Sequence, residues 1–512
     1  MQLQRRILIY ELKLLPFVLF ASILNLLLFH YPFFRYVFKN IDYKSANGSI
    51  LVLSLIVMIL VLSAFIFLLI FYLSRRLGKI FLIVFFILNA LSVYFVNTYG
   101  VIIDETMIGN VLNTKYEEAS SFYSLSLFAY ILILGIIPSI YVLKVRIDKG
   151  GFKRFITTTA LSLFLIIVFV FANAKNWLWI DKNSKQLGGL AMPWSYSVNL
   201  SLHYIHQNNQ NRKELLLPNA TIIDTGKSVV ILVIGESARK QNFSLYGYSK
   251  NTNPLLSKTS NLFHFDANSC ATYTTEGVKC ILEYAHTDKL YEILPNYLER
   301  NDVEVIWRTT NWGEPPVHIK NYQTSQYLLT KCKSKNCSYD ELLLTELREQ
   351  IVQSKKHKIL IVLHTSTSHG PLYSKKYPSS FEQFKPVCNS VELGNCSQSE
   401  LTNAYDNTIV YTDYILHSVI ETLKQLKDFK SSMLFISDHG ESLGEKNLYM
   451  HGVPISFAPK EQYEIPFIVW LSDSSVKVKP NQTLSQHHVF HSVLHLLSMQ
   501  SPIYKKEFDI FK

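Results

Sequence analysis

Two short strings in the C-terminal half of this chain carry the residue types of a metal-dependent active site. Val-Ile-Gly-Glu-Ser spans 233–237, and Ile-Ser-Asp-His-Gly-Glu-Ser spans 436–442. Each follows an apolar, β-branched run, which places its carboxylate at the C-terminal end of a predicted parallel strand, where open α/β sheets hold their chemistry. Glu236, Asp438 and His439 offer two hard oxygen donors and one imidazole, a mixture that suits zinc or manganese.

The same half of the chain contains further histidines with possible roles in the site. His364, Ser368 and His369 lie in LHTSTSHGP at the end of an apolar run, and His451 is followed directly by Gly452. Several histidines at strand ends are typical of a functional site. The chemistry that needs this set is phosphoryl or sulfuryl transfer, in which a divalent metal activates a hydroxyl and cationic groups neutralise the transferring group.

A hydroxyl nucleophile has three candidates within one short loop. The segment ATYTTEGVK lies between Cys270 and Cys280 and contains Thr272, Thr274 and Thr275. A disulfide between the two cysteines would hold such a nucleophile rigidly. A threonine-rich surface turn is the alternative interpretation.

The elements that must position these residues are strands that alternate with helical patterns from residue 228 onward. Such alternation indicates a mainly parallel sheet with helices on both faces. The apolar, strand-like runs are 229–234, 303–308, 358–364, 433–437 and 466–471.

The first third of the chain has a different character. Of the 512 residues, 48% are hydrophobic, and most of these precede the segments described above. A membrane-spanning helix needs about 17 to 25 mostly apolar residues. Buried helices of a soluble domain are the alternative interpretation of such runs. Five runs are long enough to span a bilayer: 14–34, 50–73, 80–98, 123–143 and 155–173.

The Lys and Arg residues between these runs predict the orientation of the protein. The two short outer loops hold only Arg35, Lys39, Lys44 and Lys115. The positive-inside rule therefore places everything after residue 175 outside the cytoplasm. The first run lacks a small-residue cleavage site, so we interpret it as a retained anchor. With the N-terminus inside, the cytoplasmic segments hold eleven: Arg5, Arg6, Lys13, Arg75, Arg76, Lys79, Lys144, Arg146, Lys149, Lys153 and Arg154.

The cysteines agree with an extracytoplasmic domain, because all six lie after the last apolar run. An even number of cysteines in an oxidising compartment predicts disulfides. Six cysteines allow fifteen pairings, and local pairing is the simplest. A zinc finger is the rival, but no Cys-x-x-Cys pair occurs. The close couples are Cys270 with Cys280, Cys332 with Cys337, and Cys388 with Cys396.

We predict that residues 174–227 form a connector that lies along the membrane surface and joins the apolar runs to the C-terminal domain. A flexible linker is the alternative interpretation. Trp177, Trp179 and Trp194 suit the interface, and Ser195–Gln207 is a candidate interfacial helix. The net charge of +11 belongs partly to the cytoplasmic loops. We predict no nucleic-acid partner. Basic clusters in the C-terminal half, such as Lys331, Lys333 and Lys335, could equally attract an anionic lipid head group or form a solvated surface.

Over nearly its whole length the chain resembles the membrane-bound phosphoethanolamine transferases that modify lipid A and related lipopolysaccharide groups. In that family a Cys-Gly-Thr-Ser-Thr-Ala stretch, closed by Pro-Cys, carries the nucleophile four residues after the first Cys, which corresponds to Thr274. This sequence departs from the stretch at Ala271, Tyr273, Thr275 and Lys279, and Thr275 stays a minor rival.

The resemblance also implies the metal and substrate residues. His369 and His451 match family histidines that bind substrate phosphate or a second metal, and that assist as acid or base. Whether one or two zinc ions bind at turnover is left open. The first Zn²⁺ ion would be held firmly by four residues: Glu236, Thr274, Asp438 and His439.

Three further positions are implied by the same resemblance. Asn311, in WRTTN, matches a family Asn that contacts phosphoethanolamine, whereas Pro315 stands where the family usually has a Lys. The string YGVIIDETMIGNVLNTKYEEA looks like the family's outer loop, in which Asn110 and Glu118 fall on positions implicated in lipid-substrate binding. An ordinary amphipathic loop helix is the alternative interpretation of that string.

These expectations combine into one architecture. We expect an α-helical five-span membrane domain at 1–173, an interfacial connector at 174–227, and a periplasmic α/β/α sandwich of the alkaline-phosphatase and sulfatase type at 228–512. The enzyme would be a monomer in the inner membrane, multi-pass, with its catalytic domain in the periplasm.

The expected reaction is zinc-dependent transfer of phosphoethanolamine from phosphatidylethanolamine to lipid A or another envelope acceptor. Thr274, as an alkoxide on zinc, would attack the phosphorus and form a covalent phosphoethanolamine-threonine intermediate. The acceptor itself is not predicted. The alternatives are a glycerophosphate transferase like lipoteichoic acid synthase and a catalytically inactive membrane scaffold. A sulfatase would need a Cys/Ser-x-Pro-x-Arg motif, which this sequence lacks.

Overall fold

The computed structural model describes residues 10–512 except 115, 174–175, 177–178, 181–182, 211–213, 288, 473–475 and 480–482. Within helices, the side chains of 106, 113, 117, 118 and 206–210 are also outside the described part. Arg5, Arg6, Lys115 and Trp177, and the Glu118 side chain, therefore lie outside the described residues. The chain forms two compact units: one contains residues up to 112 and 123–206, the other contains 113–122 and 207–512.

The first unit contains the apolar helices. Four described helices are long and apolar enough to cross a membrane, and a bent pair makes a fifth span if it is counted as one. The bent pair, Leu14–Phe29 and Tyr31–Asn40, turns by 65°, because Pro32 cannot donate to the preceding helical turn and begins a new helix. The expectation of five spans is thus met on this count. The four long spans are Ala46–Leu73, Arg75–Tyr99, Leu125–Lys144 and Phe152–Ala172.

Polar side chains join the helices of this unit. The Asn89 amide donates to the Asn25 side chain at 2.8 Å, and the Tyr196 hydroxyl donates to Asn89 at 3.0 Å. Such bonds stabilise contacts between helices in an apolar surrounding. Tyr196 belongs to the helix Trp194–Gln210, which contains the candidate interfacial segment and begins one residue earlier than predicted.

The outer-loop helix Glu105–Asn113, which carries Asn110, is held by the connector. The Asn199 amide donates to Ile103 O at 3.0 Å, and Ile103 N donates to Gly189 O at 3.0 Å. Asp104 begins the helix by accepting from Met107 N at 2.9 Å. Ser184–Leu190 is a further helix of the first unit, and Tyr116–Ser120 is a short helix of the second unit.

The strands are numbered in chain order. Two of them, β1 and β2, pair in parallel inside the first unit, and the others belong to the second unit. Their bounds are β1 Tyr10–Lys13, β2 Val145–Asp148, β3 Thr221–Ile222, β4 Ser228–Gly235, β5 Leu262–Asn268, β6 Glu304–Thr309, β7 Asn321–Thr324, β8 Lys358–His364, β9 Lys430–Ser437, β10 Ser442–Leu443, β11 Tyr449–Met450, β12 Glu464–Leu471, β13 Leu484–Ser485 and β14 Met499–Gln500.

An eight-stranded sheet forms the centre of the second unit, in the order β13-β5-β12-β9-β4-β8-β6-β7. All five predicted strands are present. Four of them, β9, β4, β8 and β6, lie side by side and run parallel to one another. Strand β12 runs antiparallel to both of its neighbours, β5 and β9, so the parallel part of the sheet does not extend to it. Every residue of β4 and β8 is buried, as expected for central strands with helices on both faces.

The helices of the second unit pack on both faces of this sheet and close its core. The longest, Gln398–Lys424, starts with a capping box formed by Ser397 and Glu400. The remaining described α-helices are Thr274–Leu282, Leu294–Arg300, Ser325–Leu329, Leu347–Gln353 and His488–Leu496. Strand ends, the helix Thr274–Leu282 and the loops after β6 and β8 converge at the carboxyl edge of the sheet.

Candidate functional site

The sheet register brings the two sequence strings together. Strands β4 and β9 are parallel neighbours in which Gly235 pairs with Ser437, so Glu236 and Asp438 follow at the same level of adjacent strands. Glu236, Asp438 and His439 have fully buried side chains. This placement is the one expected of carboxylates at the carboxyl ends of parallel strands.

Ser237 holds the two carboxylates in place and has strained backbone. Its φ of +53° lies in the left-handed region, which non-glycine residues seldom adopt. Its N–H donates to Asp438 Oδ1 at 3.0 Å, and its hydroxyl donates to Glu236 Oε1 at 2.7 Å. The Tyr405 hydroxyl, from the long helix, donates to Ser237 O at 2.6 Å. These bonds maintain a conformation that costs energy, as is common at active sites.

Thr274 is the threonine that reaches these groups. Its Oγ1 lies 3.4 Å from Glu236 Oε2 and 3.3 Å from His439 Nε2. Thr272, by contrast, donates its hydroxyl to Val453 O at 2.6 Å and is engaged elsewhere. Thr274 is the first residue of the helix Thr274–Leu282, whose N-terminal dipole favours negative charge at its hydroxyl.

The loop before this helix is held on both sides. The disulfide Cys270–Cys280 closes it, and the predicted local pairing of all three cysteine couples is confirmed. The Gln486 side chain accepts from Cys270 N at 3.0 Å and donates to Asp438 O at 2.6 Å, which ties the loop to the end of β9. Gly277 contacts the same carbonyl so closely that a Cβ would lie 2.3 Å from it.

The donor set fits a divalent cation. Oδ2 of Asp438 is buried and has no hydrogen-bond partner among the described residues, although His439 Nε2 lies 3.4 Å away. His439 Nδ1 must donate to Gly440 O at 2.8 Å, which leaves the Nε2 lone pair for a metal. Ligand atoms of Glu236, His439 and His451 all lie within 4.8 Å of one another, a group that could hold a metal ion.

Burial and neighbouring groups shift the pKa values of Glu236, Asp438 and His439. Burial alone would raise the pKa of Glu236, but the charges of His369, His439 and His451 bring it below its ordinary value. Burial and the neighbouring Glu236 both raise the pKa of Asp438 well above its ordinary range. Burial, together with His451, lowers the pKa of His439 to about 3. Two buried carboxylates with a neutral imidazole are the surroundings in which a metal ion binds.

His451 and His369 lie against the same centre. The His451 ring centroid is 4.2 Å from that of His439 and 5.3 Å from that of His369. Glu441, which is fully buried, accepts from His451 Nδ1 at 2.7 Å and from the Tyr373 hydroxyl. This bond fixes the orientation of the His451 ring and leaves Nε2 to act.

Asn311 joins the site from the loop after β6. Its amide nitrogen donates to Glu236 Oε2 at 2.7 Å and to Thr365 O at 2.8 Å. Two residues on, Gly313 has a φ of +95°, and a Cβ there would lie 3.2 Å from the Thr274 methyl group. Asn311 thus anchors a loop that covers the nucleophile. Pro315 supplies no cation in this loop.

Comparison with known proteins identifies the family. A family model described as Phosphoethanolamine transferase EptA/EptB matches residues 60–209, and a Sulfatase model matches residues 228–499. The chain is 39% identical over 511 residues to phosphoethanolamine transferase EptA of Helicobacter pylori, which covers 96% of each chain. The chain belongs to the phosphoethanolamine transferase family. EptA of Salmonella typhimurium is 31% identical over 529 residues, covering 94% of this chain and 93% of the relative.

Solved structures of the phosphoethanolamine transferase family support the same fold. The integral membrane lipooligosaccharide phosphoethanolamine transferase A of Neisseria meningitidis has a TM-score of 0.88 at 25% identity and covers 98% of both chains. The C-terminal periplasmic domain of EptC from Campylobacter jejuni has a TM-score of 0.52 at 34% identity, covering 58% of this chain and 97% of that domain. The expected fold class, apolar helices followed by an α/β sandwich, is confirmed.

Two other predicted positions of this phosphoethanolamine transferase make contacts with residues outside the proposed metal group. His364 is buried against Trp307 with centroids 5.8 Å apart, and Ser368 bonds to Thr408 at 2.8 Å. Asn110 lies on the helix Glu105–Asn113 of the first unit. The described side chains do not include Glu118, so its predicted role is not addressed by the structure.

Sequence reasoning missed three residues that position the site. Ser237 and Glu441 lie within the segments 233–237 and 436–442, and their closeness in sequence to proposed ligands could have indicated a role. Gln486 had no such signal, because it meets Cys270 and Asp438 only through folding. Each of the three acts through hydrogen bonds to residues of the proposed metal and nucleophile group.

Proposed function

We propose that this protein transfers phosphoethanolamine from phosphatidylethanolamine to lipid A or another envelope acceptor, through a covalent intermediate on Thr274. The observation that supports it most directly is the position of Thr274 Oγ1, 3.3–3.4 Å from His439 and Glu236 at the start of a helix. Relatives named phosphoethanolamine transferase EptA and Kdo(2)-lipid A phosphoethanolamine 7''-transferase support the donor group and the class of acceptor.

Zinc is the metal that we assign to this site. Glu236, Asp438 and His439 would hold it together with Thr274, and a second ion would use His451 or His369. The mixed oxygen and imidazole donors are those that zinc accepts. When bound, the ion would lower the pKa of a coordinated hydroxyl and neutralise charge on the transferring phosphate.

In the first half-reaction Thr274 Oγ attacks the phosphorus of the donor. A new P–O bond forms to Thr274, and the P–O bond to the glycerol breaks. The threonine proton leaves toward Glu236 Oε2, which lies 3.4 Å from Oγ1. The glycerol oxygen takes a proton from His369 or His451 and departs as diacylglycerol.

In the second half-reaction a hydroxyl or phosphate oxygen of the acceptor attacks the same phosphorus. The P–O bond to Thr274 breaks, and the threonine oxygen takes back the proton that Glu236 accepted in the first half-reaction. His451 is suited to remove the acceptor proton because the hydrogen bond from its Nδ1 to Glu441 fixes the ring and leaves Nε2 to act. The helix N-terminus at Thr274 stabilises the developing negative charge, while the Asn311 amide holds Glu236 in place.

The cellular setting follows from the same proposal. The chain is a multi-pass membrane protein with a soluble catalytic domain, and we place that domain in the periplasm, with the spans in the inner membrane. The excess of Lys and Arg in the predicted cytoplasmic segments and the three disulfides support this placement. We propose that the protein acts as a monomer.

The test is the intermediate itself. Full-length protein incubated with phosphatidylethanolamine and no acceptor should gain the mass of one phosphoethanolamine, mapped to the Cys270–Cys280 peptide at Thr274. Thr274→Ala should lose the adduct and turnover together, Thr274→Ser should retain part of both, and Thr275→Ala is the matched control that should retain the adduct.

Other outcomes would separate the alternatives. An adduct on Thr275 would refute the choice of nucleophile. Normal turnover with no adduct at saturating donor would mean direct in-line transfer and refute the two-step scheme. A glycerophosphate adduct from phosphatidylglycerol would favour a reaction like that of lipoteichoic acid synthase, and no adduct or turnover with either lipid would support an inactive scaffold.

A further inference from the structure

The segment after His451 presents large apolar side chains to solvent. In the loop of residues 453–458, hereafter the 453–458 loop, Ile455 is 47% exposed and Phe457 is 38% exposed, whereas Val453 and Ala458 are buried. Small or polar residues usually occupy the tips of turns. Exposed large apolar side chains at one place on a surface indicate an interaction partner.

This loop is bonded directly to the nucleophile loop. Gly452 N donates to Thr272 O at 2.7 Å, and the Thr272 hydroxyl donates to Val453 O at 2.6 Å. The tip is a closed turn, since Phe457 N donates to the carbonyl of Pro454 at 2.8 Å. These bonds tie the base of the loop to Thr272, which precedes Thr274 by two residues. The apolar tip extends from that base.

Other exposed apolar side chains lack this connection. They lie on strands β5 and β7 and on the helices Ser325–Leu329 and Leu347–Gln353. In the described part of 228–512, the remaining exposed large apolar residues are Phe263, Tyr322, Tyr327, Leu329 and Val352.

The chemistry of the loop indicates what it binds. Between Lys446 and Lys460 the sequence contains no Asp, Glu, Lys or Arg, and His451 is the only titratable group other than Tyr449. A phosphate or an ammonium group would find no opposite charge at this tip. An apolar ligand would instead remove Ile455 and Phe457 from water.

We propose that the 453–458 loop binds the diacylglycerol portion of the donor lipid, at the glycerol backbone and the first methylenes of the acyl chains. This inference rests on the proposed function, because a phosphorus placed at Thr274 brings the glycerol ester next to the loop that Thr272 anchors. Ile455 and Phe457 are then specificity residues, which favour an acylated donor over a water-soluble one.

The experiment uses the full-length protein in mixed micelles with two donors, dioleoyl phosphatidylethanolamine and deacylated glycerophosphoethanolamine. The readout is the rate of adduct formation at Thr274 as a function of donor concentration. In the double variant Ile455→Ser/Phe457→Ser, KM for the dioleoyl donor should rise about tenfold, which corresponds to about 1.4 kcal/mol. Its kcat should change less than twofold, and the rate with the deacylated donor should not fall in parallel.

Two further variants distinguish lipid binding from a structural role. Ile455→Leu/Phe457→Leu keeps the tip apolar and should leave KM for the dioleoyl donor near that of the wild type. Val352→Ser, a change at a 55% exposed apolar residue on another helix, is the matched control. An unchanged KM in the serine variant, a leucine variant as impaired as the serine one, or an equal loss with both donors would each overturn the inference. Absence of any adduct in the wild type would instead refute the proposed function.

Discussion

Gly277 provides the most direct test of how the nucleophile is positioned. It lies one turn into the helix Thr274–Leu282, and a Cβ built on it would meet the carbonyl oxygen of Asp438 at 2.3 Å and the carbonyl carbon at 2.9 Å. The substitution Gly277→Ala therefore forces the helix and the end of β9 apart. Both elements carry proposed site residues, so the collision separates Thr274 from Asp438 and His439.

The displacement can be worked out from the contact. Ordinary van der Waals contact begins at about 3.4 Å, so relief of a 2.3 Å contact requires a shift of about 1.1 Å. Misplacement of a reacting group by about 1 Å costs about 100-fold in rate. Helix propensity acts in the opposite direction, since Ala is favoured over Gly by about 1 kcal/mol in a helix interior. We expect kcat to fall about 100-fold while the domain stays folded.

The assay is the initial rate of adduct formation at Thr274, together with the thermal unfolding midpoint in detergent. Gly394→Ala is the matched control, because its Cβ would meet nothing closer than the Tyr449 hydroxyl at 3.7 Å. The control should retain the wild-type rate. If Gly277→Ala also retained the wild-type rate, the close packing of helix and strand end would not position the nucleophile, and this reasoning would be refuted.

Four further predictions concern the metal, pH, redox state and topology. Glu236→Ala, Asp438→Ala and His439→Ala should each lower kcat by more than about 100-fold and deplete bound zinc, measured by elemental analysis; full zinc occupancy in all three would contradict the ligand assignment. Burial raises the pKa of Asp413 from 3.8 to about 7, against the effect of two backbone N–H donors. The native state thus favours the neutral form of Asp413. The contribution of this group to the free energy of unfolding is fully present below pH 3.8 and is lost as the pH rises through 7, by up to about 4 kcal/mol in total. Asp413→Asn should therefore show a smaller fall in unfolding midpoint than the wild type between pH 5 and pH 8, and parallel falls would contradict this. Thiol labelling of the native protein should find no free cysteine, and a reporter fused after Lys512 should be active only outside the cytoplasm; several labelled cysteines would contradict the disulfide framework.

Much of the fold followed from local patterns in the sequence. The apolar runs, the strands β4, β6, β8, β9 and β12, and the three cysteine couples all depend on residues close in the chain. Glu236 and Asp438 could be placed at strand ends because a carboxylate after an apolar run is a local feature. The bend at Pro32 and the antiparallel direction of β12 were not predicted. Pro32 is a local signal for the bend, which the run of apolar residues around it obscured, whereas the direction of β12 depends on which neighbours the strand meets.

The sequence by itself determined the types of chemical group and the strand ends that carry them, because those depend on neighbouring residues and on hydropathy. The family resemblance indicated Thr274, but only the tertiary structure showed that its hydroxyl lies near Glu236 and His439, whereas Thr272 donates its hydroxyl to Val453, 181 residues away in sequence. The tertiary structure also brought Gln486 between Cys270 and the end of β9. The physical reason is that distances of a few ångströms between such remote residues are set by the packing of the whole domain, which no local pattern encodes.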